Sequence, residues 1–121
     1  MSQITKRTIA SFALLASLFG LSIEVQAHAY LDHANPRVGS TVASSPGQVT
    51  LHFSQKLEAR FSKAEVRNAA GVRVDSGSSV SGSVISVGVK ALPAGTYRVI
   101  WRVLSVDTHT TQGSFNFNVG R

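Results

Sequence analysis

The chain has 121 residues, a formal net charge of +6 and no cysteine. This length holds one domain. The absence of cysteine excludes disulfide bonds, thiolate catalysis and zinc sites built from cysteine. The basic residues are dispersed along the sequence rather than gathered in a run, which is typical of a solvated surface and argues against a nucleic-acid partner.

The start of the chain has the composition of a secretory signal peptide. Two basic residues precede an apolar stretch over residues 9–23, and a small-residue junction ends at Ala27. A retained membrane anchor is the alternative, but the stretch falls short of the roughly 20 residues that span a bilayer, and Glu24 ends it. We therefore expect a signal-peptide helix within residues 1–27, cleavage after Ala27 and export of residues 28–121 as one domain.

After residue 27 the sequence has the period of two that is typical of β-strands and no helical period. The Ser- and Gly-rich residues 76–83 are predicted to be a mobile surface loop. About seven short strands predict an all-β Greek-key sandwich or barrel of the Ig-like or cupredoxin-like type. The predicted strands cover residues 28–34, 48–54, 63–67, 72–75, 84–89, 96–104 and 113–119.

Asp107 and His109 are the densest pair of metal-ligand residue types in the sequence. If the segment is extended, side chains two residues apart point to the same side. A carboxylate and an imidazole at this spacing suit a metal site with nitrogen and oxygen ligands. By itself the pair is a weak signal, because a D-x-H sequence arises often by chance and more often belongs to an ordinary polar loop.

Cleavage after Ala27 would make His28 the first residue of the exported protein. Its α-amine and ring Nδ1 could then chelate one ion, and in a Greek-key fold a loop near the C-terminus can lie beside the first strand. With His109 and Asp107 the set is three nitrogens and one oxygen, which Cu(II) prefers. Binding should weaken in acid because the amine must lose its proton, whose pKa is roughly 7.7 to 8.0.

Other histidines are weaker candidates for metal ligands. His52 lies on the outward face of a predicted strand and is read as a surface histidine. His33 is out of phase with His28 and Asp32 and should point to the opposite side of the first strand. Met1 is the only methionine, so the exported chain would offer no thioether for Cu(I) and, lacking cysteine, no blue-copper site.

Several motifs together resemble the CopC family of periplasmic copper-resistance proteins, over essentially the whole exported chain. The combination of W-R-V, S-x-D-x-H and G-x-F at close spacing with a histidine at the predicted N-terminus is specific. The matching segments are His-Ala-Tyr-Leu at 28–31, Val-Thr-Leu-His-Phe-Ser at 49–54, Leu-Pro-Ala-Gly-Thr-Tyr at 92–97, Trp-Arg-Val at 101–103, Ser-Val-Asp-Thr-His at 105–109 and Gly-Ser-Phe at 113–115.

The resemblance implies a small β-barrel in the periplasm that binds copper and hands it on, in several members beside an inner-membrane CopD-type transport protein. It implies Cu(II) ligation by His28, Asp107 and His109, with one ion per chain. Some relatives hold Cu(I) in a Met-rich loop, but here the corresponding residues 66–83 contain no methionine. Some relatives also have an acidic residue where this chain has Gln55, so His52 and Gln55 are expected to be peripheral at most.

Two other functions are considered. Copper monooxygenases that attack polysaccharides also use an N-terminal histidine chelate, but they usually need a broad aromatic surface, and this chain has one Trp and two Tyr. A metal-free Ig-like adhesion or assembly module would fit the scaffold. It would give no reason for His28 to occur together with Asp107 and His109, so a copper buffer or metallochaperone without enzymatic activity is the preferred interpretation.

Overall fold

A computed structural model describes residues 29–120, so the predicted signal peptide and His28 lie outside the described residues. These residues form two four-stranded sheets and one short 3-10 helix, Ala59–Phe61. No helix in this part of the chain has the length and apolarity needed to cross a membrane. The strands are β1 Leu31–Asn35, β2 Thr41–Val42, β3 Gln48–Phe53, β4 Lys63–Arg67, β5 Asp75–Ser81, β6 Val84–Val89, β7 Gly95–Leu104 and β8 Thr110–Val119.

The two sheets have the strand orders β1-β3-β6-β5 and β2-β8-β7-β4, which we call sheet A and sheet B. The chain crosses between them after β1, β2, β3, β4 and β6, as in a Greek-key β-sandwich. All pairings are antiparallel except that of β2 with β8. The predicted all-β sandwich is thus confirmed.

The core lies between the sheets and is built by the alternation that the sequence predicts. On β7, Tyr97, Val99, Trp101 and Val103 are buried, while Arg98 and Arg102 are exposed. Their counterparts on β3 are Val49, Leu51 and Phe53. Phe53 of sheet A packs edge-on against Trp101 of sheet B, with ring centroids 5.1 Å apart, a geometry that aromatic quadrupoles favour.

The β7–β8 hairpin is the longest strand pairing in the described part of the chain, and it positions the loop of residues 105–109, which contains Asp107 and His109. Its register runs from Gly95 opposite Val119 to Leu104 opposite Thr110 without a shift. Ten consecutive residue pairs fix the direction in which the connecting residues 105–109 leave the sheet. That loop therefore stands at one end of the sandwich on a rigid base.

The prediction of about seven strands is close to the observed number, which is eight because the two-residue β2 also pairs with β8. The prediction of a mobile loop over residues 76–83 is wrong, because this segment contains most of β5, which pairs with β6 despite its Ser and Gly content. Strand formation depends on the partner available as well as on intrinsic propensity, and β6 offers a strongly apolar partner.

Residues 63–67 and 72–75, which the sequence predicts to be two strands, form only a local contact with each other. The turn at residues 68–71 is present, and Gly71 takes a φ of 81° there. Beyond it the two segments share one bridge, between Arg67 and Arg73, and a hydrogen bond from the Val74 N–H to the Val66 carbonyl. β4 pairs along its length with β7 instead.

Gly113 is needed because Trp101 occupies the space that a side chain would fill. The two residues pair across β7 and β8, and a Cβ on Gly113 would lie 2.6 Å from Cζ2 of Trp101. We expect Gly113→Ala to lower the free energy of unfolding by about 1–3 kcal/mol, the usual cost of overpacking. Urea denaturation followed by fluorescence of Trp101, the only tryptophan, measures this change.

Gly47→Ala is the matched control for this substitution. No atom lies within 4 Å of a Cβ at Gly47, and its backbone is not in the left-handed region. An Ala at residue 113 that destabilised the protein no more than an Ala at residue 47 would contradict the packing argument.

Candidate metal centre

The loop between β7 and β8 is a tight turn held by its own backbone. The N–H of Ser105 donates to the carbonyl of His109 at 3.0 Å, and the N–H of Thr108 donates to the carbonyl of Ser105 at 2.9 Å. Ser105 is fully buried and forms an isolated bridge with Leu57. The base of the loop is therefore part of the core, and its tip is accessible.

Asp107 and His109 are brought together at this tip. The Nδ1 atom of His109 lies 3.5 Å from Oδ1 of Asp107, and the two side chains are 48% and 31% exposed. The N–H of His109 also approaches the same oxygen, at 3.4 Å. A carboxylate and an imidazole with accessible donor atoms thus stand side by side.

The local conformation differs from the extended segment considered from the sequence. Thr108 has a φ of 74°, a left-handed conformation that is unusual for a β-branched residue. Such a residue persists where the surrounding structure determines it, here through the backbone hydrogen bonds of the turn. Asp107 and His109 meet because the chain turns between them, rather than because a strand alternates.

Ser105 is a functional candidate to which the sequence reasoning gave no role, although the S-x-D-x-H motif contains it. Its hydroxyl is hydrogen-bonded to Oδ1 of Asp107. That bond has the largest effect on the pKa of the Asp107 carboxyl. Together with the approach of the His109 N–H, it holds this pKa below its ordinary value. Asp107 is therefore ionised at neutral pH. The burial of Ser105, which would have revealed its role, is not visible from a motif.

The start of the described chain lies beside the hairpin. Thr111 Oγ1 donates to the carbonyl of Ala29 at 2.8 Å, and Ala29 is fully buried. Tyr30 and Ser54 exchange backbone and side-chain hydrogen bonds on the other side. His28 itself lies outside the described residues. Its neighbour Ala29, however, is held against a residue only two positions after His109.

The weaker candidates lie elsewhere. His33 and His52 stack on the outer face of sheet A, with ring centroids 4.1 Å apart. The prediction that His33 points away from Asp32 is wrong, because a β-bulge between Leu31 and His33 shifts the register. The Asp32 carboxylate consequently contacts the His33 ring at 3.2 Å. Gln55 is half-buried just after β3.

Two donors do not complete a metal site. Within residues 29–120, no group of three His, Asp or Glu side chains is arranged to hold an ion. Asp107 and His109 would therefore need further donors to hold an ion, and their chemistry, one anionic oxygen and one imidazole nitrogen, suits a divalent transition metal.

Fold and site together define a small Greek-key β-sandwich that displays a carboxylate and an imidazole at the end where its first strand begins. Residues 31–120 match the CopC domain, and the chain belongs to the CopC family. The resemblance noted from the motifs is thereby confirmed.

Several known proteins are similar to this chain in sequence or in structure. Copper resistance protein C of Pseudomonas syringae pv. tomato is 34% identical over 116 residues, covering 88% of this chain and 91% of that protein. The crystal structure of CopC from Methylosinus trichosporium OB3b matches with a TM-score of 0.73 and 30% identity over 77% of this chain and 94% of that one. PcoC, a methionine-rich copper resistance protein from Escherichia coli, matches with a TM-score of 0.69 and 32% identity over 76% and 98%.

Proposed function

We propose that the protein is an exported copper-binding protein that acts in copper resistance or homeostasis as a Cu(II) buffer or metallochaperone. The observation that carries the proposal is the pairing of Asp107 with His109 at 3.5 Å, on a loop beside the start of the first strand. Membership of the CopC family and the similarity to copper resistance proteins support the choice of metal.

The proposed site uses His28, Asp107 and His109 and holds one Cu(II) ion per chain. His28 would supply its α-amine and Nδ1 once residues 1–27 are removed as a signal peptide, leaving 28–121 as the exported domain. The contact between Thr111 and Ala29 supports this arrangement, since it keeps the residue after His28 next to the strand that follows His109. The resulting set of three nitrogens and one oxygen matches the tetragonal preference of Cu(II).

The proposal includes no Cu(I) site. The methionine-rich relative PcoC differs in composition from this chain, whose only methionine is Met1. In addition, strand β5 occupies much of residues 66–83, where a soft site would otherwise be sought. Nitrogen and carboxylate donors favour the divalent ion, so we propose that the protein handles copper in one oxidation state.

We propose binding rather than catalysis. A polysaccharide-oxidising enzyme would need a flat aromatic surface around its copper. Trp101 and Tyr97 are buried in the core, and Tyr30 is the one exposed side chain among the Trp and Tyr residues, so no such surface is built from them. The proposed location is the periplasm, and the proposed delivery partner is an inner-membrane transport protein of the CopD type.

The experiment that tests the proposal is a Cu(II) titration of the protein recovered after natural export, recorded by EPR. We expect mass spectrometry to show a chain that begins at His28, and EPR to show a single type-2 tetragonal signal that saturates at one equivalent. Adding one glycine before His28 should abolish tight binding, because the amine then becomes a peptide nitrogen.

The matched control adds the same glycine after Arg121, which leaves the amine free and should not change the titration. If the N-terminally extended protein bound Cu(II) as tightly as this control, the chelate at His28 would be wrong. Sustained oxidation of a polysaccharide in the presence of ascorbate would instead favour the alternative function, a copper enzyme that oxidises polysaccharides.

A further inference from the structure

The fold gathers basic side chains on one face of the sandwich, although these residues are dispersed along the sequence. The strands of sheet A carry Asp32 and Asp75 but no lysine or arginine. All lysine and arginine residues that lie on strands belong to sheet B, and these are Lys63, Arg67, Arg98 and Arg102. The residues that alternate with them along β4 and β7 are buried, so all four side chains lie on the outer side of sheet B, which we call the basic face.

The four cations form two cross-strand pairs of like charge. Lys63 lies directly opposite Arg102, and Arg67 lies directly opposite Arg98. The two pairs are separated by four residues along each strand, which corresponds to about 13 Å. Like charges that face each other across an antiparallel pair destabilise the sheet. The basic face therefore concentrates positive charge where the stability of the sheet alone would favour opposite signs.

Most of this positive charge is not neutralised within the protein. Glu65 is the only acidic residue on the strands of sheet B. Its carboxylate lies 3.2 Å from Nε of Arg67 and 3.8 Å from Nε of Arg73. Within residues 29–120, no ion pair to a carboxylate is formed by the other three cations of the face, Lys63, Arg98 and Arg102. These three side chains therefore remain available to an external anion.

The other side chains of the basic face are polar rather than apolar. Gln112, Ser114 and Asn116 on β8 continue the rows of β4 and β7 across the sheet, and they are exposed. Ile100, between the two charged pairs, is half-buried. None of the exposed large apolar side chains within residues 29–120 lies on a strand of sheet B. Specific protein interfaces depend on aromatic or apolar anchors at their centre, so this face is better suited to a surface that is recognised by its charge.

We propose that the basic face of sheet B docks onto the surface of a bilayer that contains anionic phospholipids. Three of its four cations are arginines, whose guanidinium groups bind phosphate oxygens in a bidentate manner. Each lysine or arginine near an anionic membrane surface adds to the attraction, which declines within a Debye length. Because the face has no apolar wedge, docking is reversible and sensitive to salt. It involves the strands of sheet B rather than the loop of Asp107 and His109, so it does not depend on the proposed copper site.

The test is co-sedimentation of the full exported protein, free of metal, with vesicles of phosphatidylglycerol and phosphatidylcholine in equal parts. At about 0.05 M NaCl, where the Debye length is longer than about 10 Å, we expect the protein to sediment with these vesicles. At about 1 M NaCl, where the Debye length is about 3 Å, it should remain in solution. Vesicles of phosphatidylcholine alone should not bind it at either salt concentration.

Replacing Arg98→Gln together with Arg102→Gln should weaken binding to the anionic vesicles by about tenfold or more, since each cation near the surface contributes about fivefold. The matched control is Lys56→Gln together with Lys90→Gln, which removes the same net charge from exposed positions outside the strands of sheet B. It should weaken binding by less than about threefold, because the attraction of a charge declines with its distance from the surface.

A variant that keeps the charge separates docking from folding. Arg98→Lys together with Arg102→Lys should retain most of the binding, because the attraction depends mainly on charge. If the double glutamine variant failed to fold, as judged from the fluorescence of Trp101, Lys63→Gln would replace it. This single substitution should weaken binding by about fivefold.

Three results would overturn the proposal. One is that the protein does not sediment with anionic vesicles at low salt. Another is an equal loss of binding in the two double glutamine variants, which would show that net charge rather than the basic face attracts the protein. The third is binding to polyglutamate without binding to vesicles, which would assign the face to an acidic protein instead. Because no metal is present in any of these measurements, failure of the proposed copper site would leave their outcome unchanged.

Discussion

Replacing His109 with asparagine should lower the affinity of the exported protein for Cu(II) by at least about a hundredfold, beyond the 10- to 100-fold effect of losing an outer-shell partner. In the proposed site His109 provides one of three nitrogens, and an amide is a poor substitute for imidazole toward Cu(II). The loop should keep its shape, because the bond that anchors residue 109 runs from the Ser105 N–H to a backbone carbonyl.

The measurement is competition for Cu(II) against a coloured chelator of known affinity, at one equivalent of metal. His52→Asn is the matched control, since it also removes one imidazole but lies on the outer face of sheet A. This substitution should change the affinity for Cu(II) by less than about threefold, because well-separated sites act independently. If the H109N protein competed for Cu(II) as well as the H52N protein, His109 would not be a copper ligand.

Replacing Asp75 with asparagine should destabilise the fold at neutral pH by about 2 kcal/mol, in the range for a hydrogen-bonded charged group. The Asp75 side chain has no exposed surface, and it lies 3.0 Å from Nε of Arg73. It also accepts hydrogen bonds from the N–H groups of Val66 at 2.8 Å and Gly77 at 2.9 Å. The bond from Val66 connects β4 of sheet B to the start of β5 in sheet A, so the substitution weakens the contact between the two sheets.

The sign of the pH dependence follows from the pKa of Asp75. Burial alone would raise this pKa, but the hydrogen bonds from Arg73, Val66 and Gly77 outweigh it and lower the pKa below its ordinary value. The stabilisation is therefore fully present above the unfolded-state pKa of about 3.9 and is lost as the pH falls through the lower folded-state pKa. The difference between wild type and D75N should be constant from neutral pH down to about pH 5 and should shrink below about pH 4.

Urea denaturation at a series of pH values measures this difference. Glu58→Gln serves as the control, because it removes an exposed carboxylate and should leave both the stability at neutral pH and its acid dependence nearly unchanged. A D75N protein that differed from wild type by the same amount at pH 3 and pH 7 would show that ionisation of Asp75 is not the source of the effect.

The strands that the sequence predicts well are those in which alternation alone decides the conformation. The predicted strand 84–89 has the same bounds as β6, and the predicted 96–104 differs from β7 by one residue. Both carry apolar side chains on every second position and bury them. β5 was missed because its Ser and Gly residues carry little intrinsic preference. Its conformation is determined by pairing with β6, which follows it across a tight turn.

The same distinction applies to the candidate sites. The closeness of Asp107 and His109 could be predicted from their spacing, since residues two apart meet in several local conformations. The role of Ser105 could not, because it requires a buried hydroxyl aimed at the carboxylate. The stacking of His33 on His52 also could not, because a bulge of one residue reverses which side chains share a face.

The hydrogen bond between Thr111 and Ala29 has a consequence for how the proposed ion would be released. Ala29 leads into β1 of sheet A, whereas Thr111 belongs to β8 of sheet B. An ion held jointly by His28, Asp107 and His109 would clamp the two layers of the sandwich at one end. Lifting the few residues before β1 away from the hairpin would take two of the four donors with it. A recipient protein could therefore remove the metal by peeling off the amino end, without unfolding either sheet.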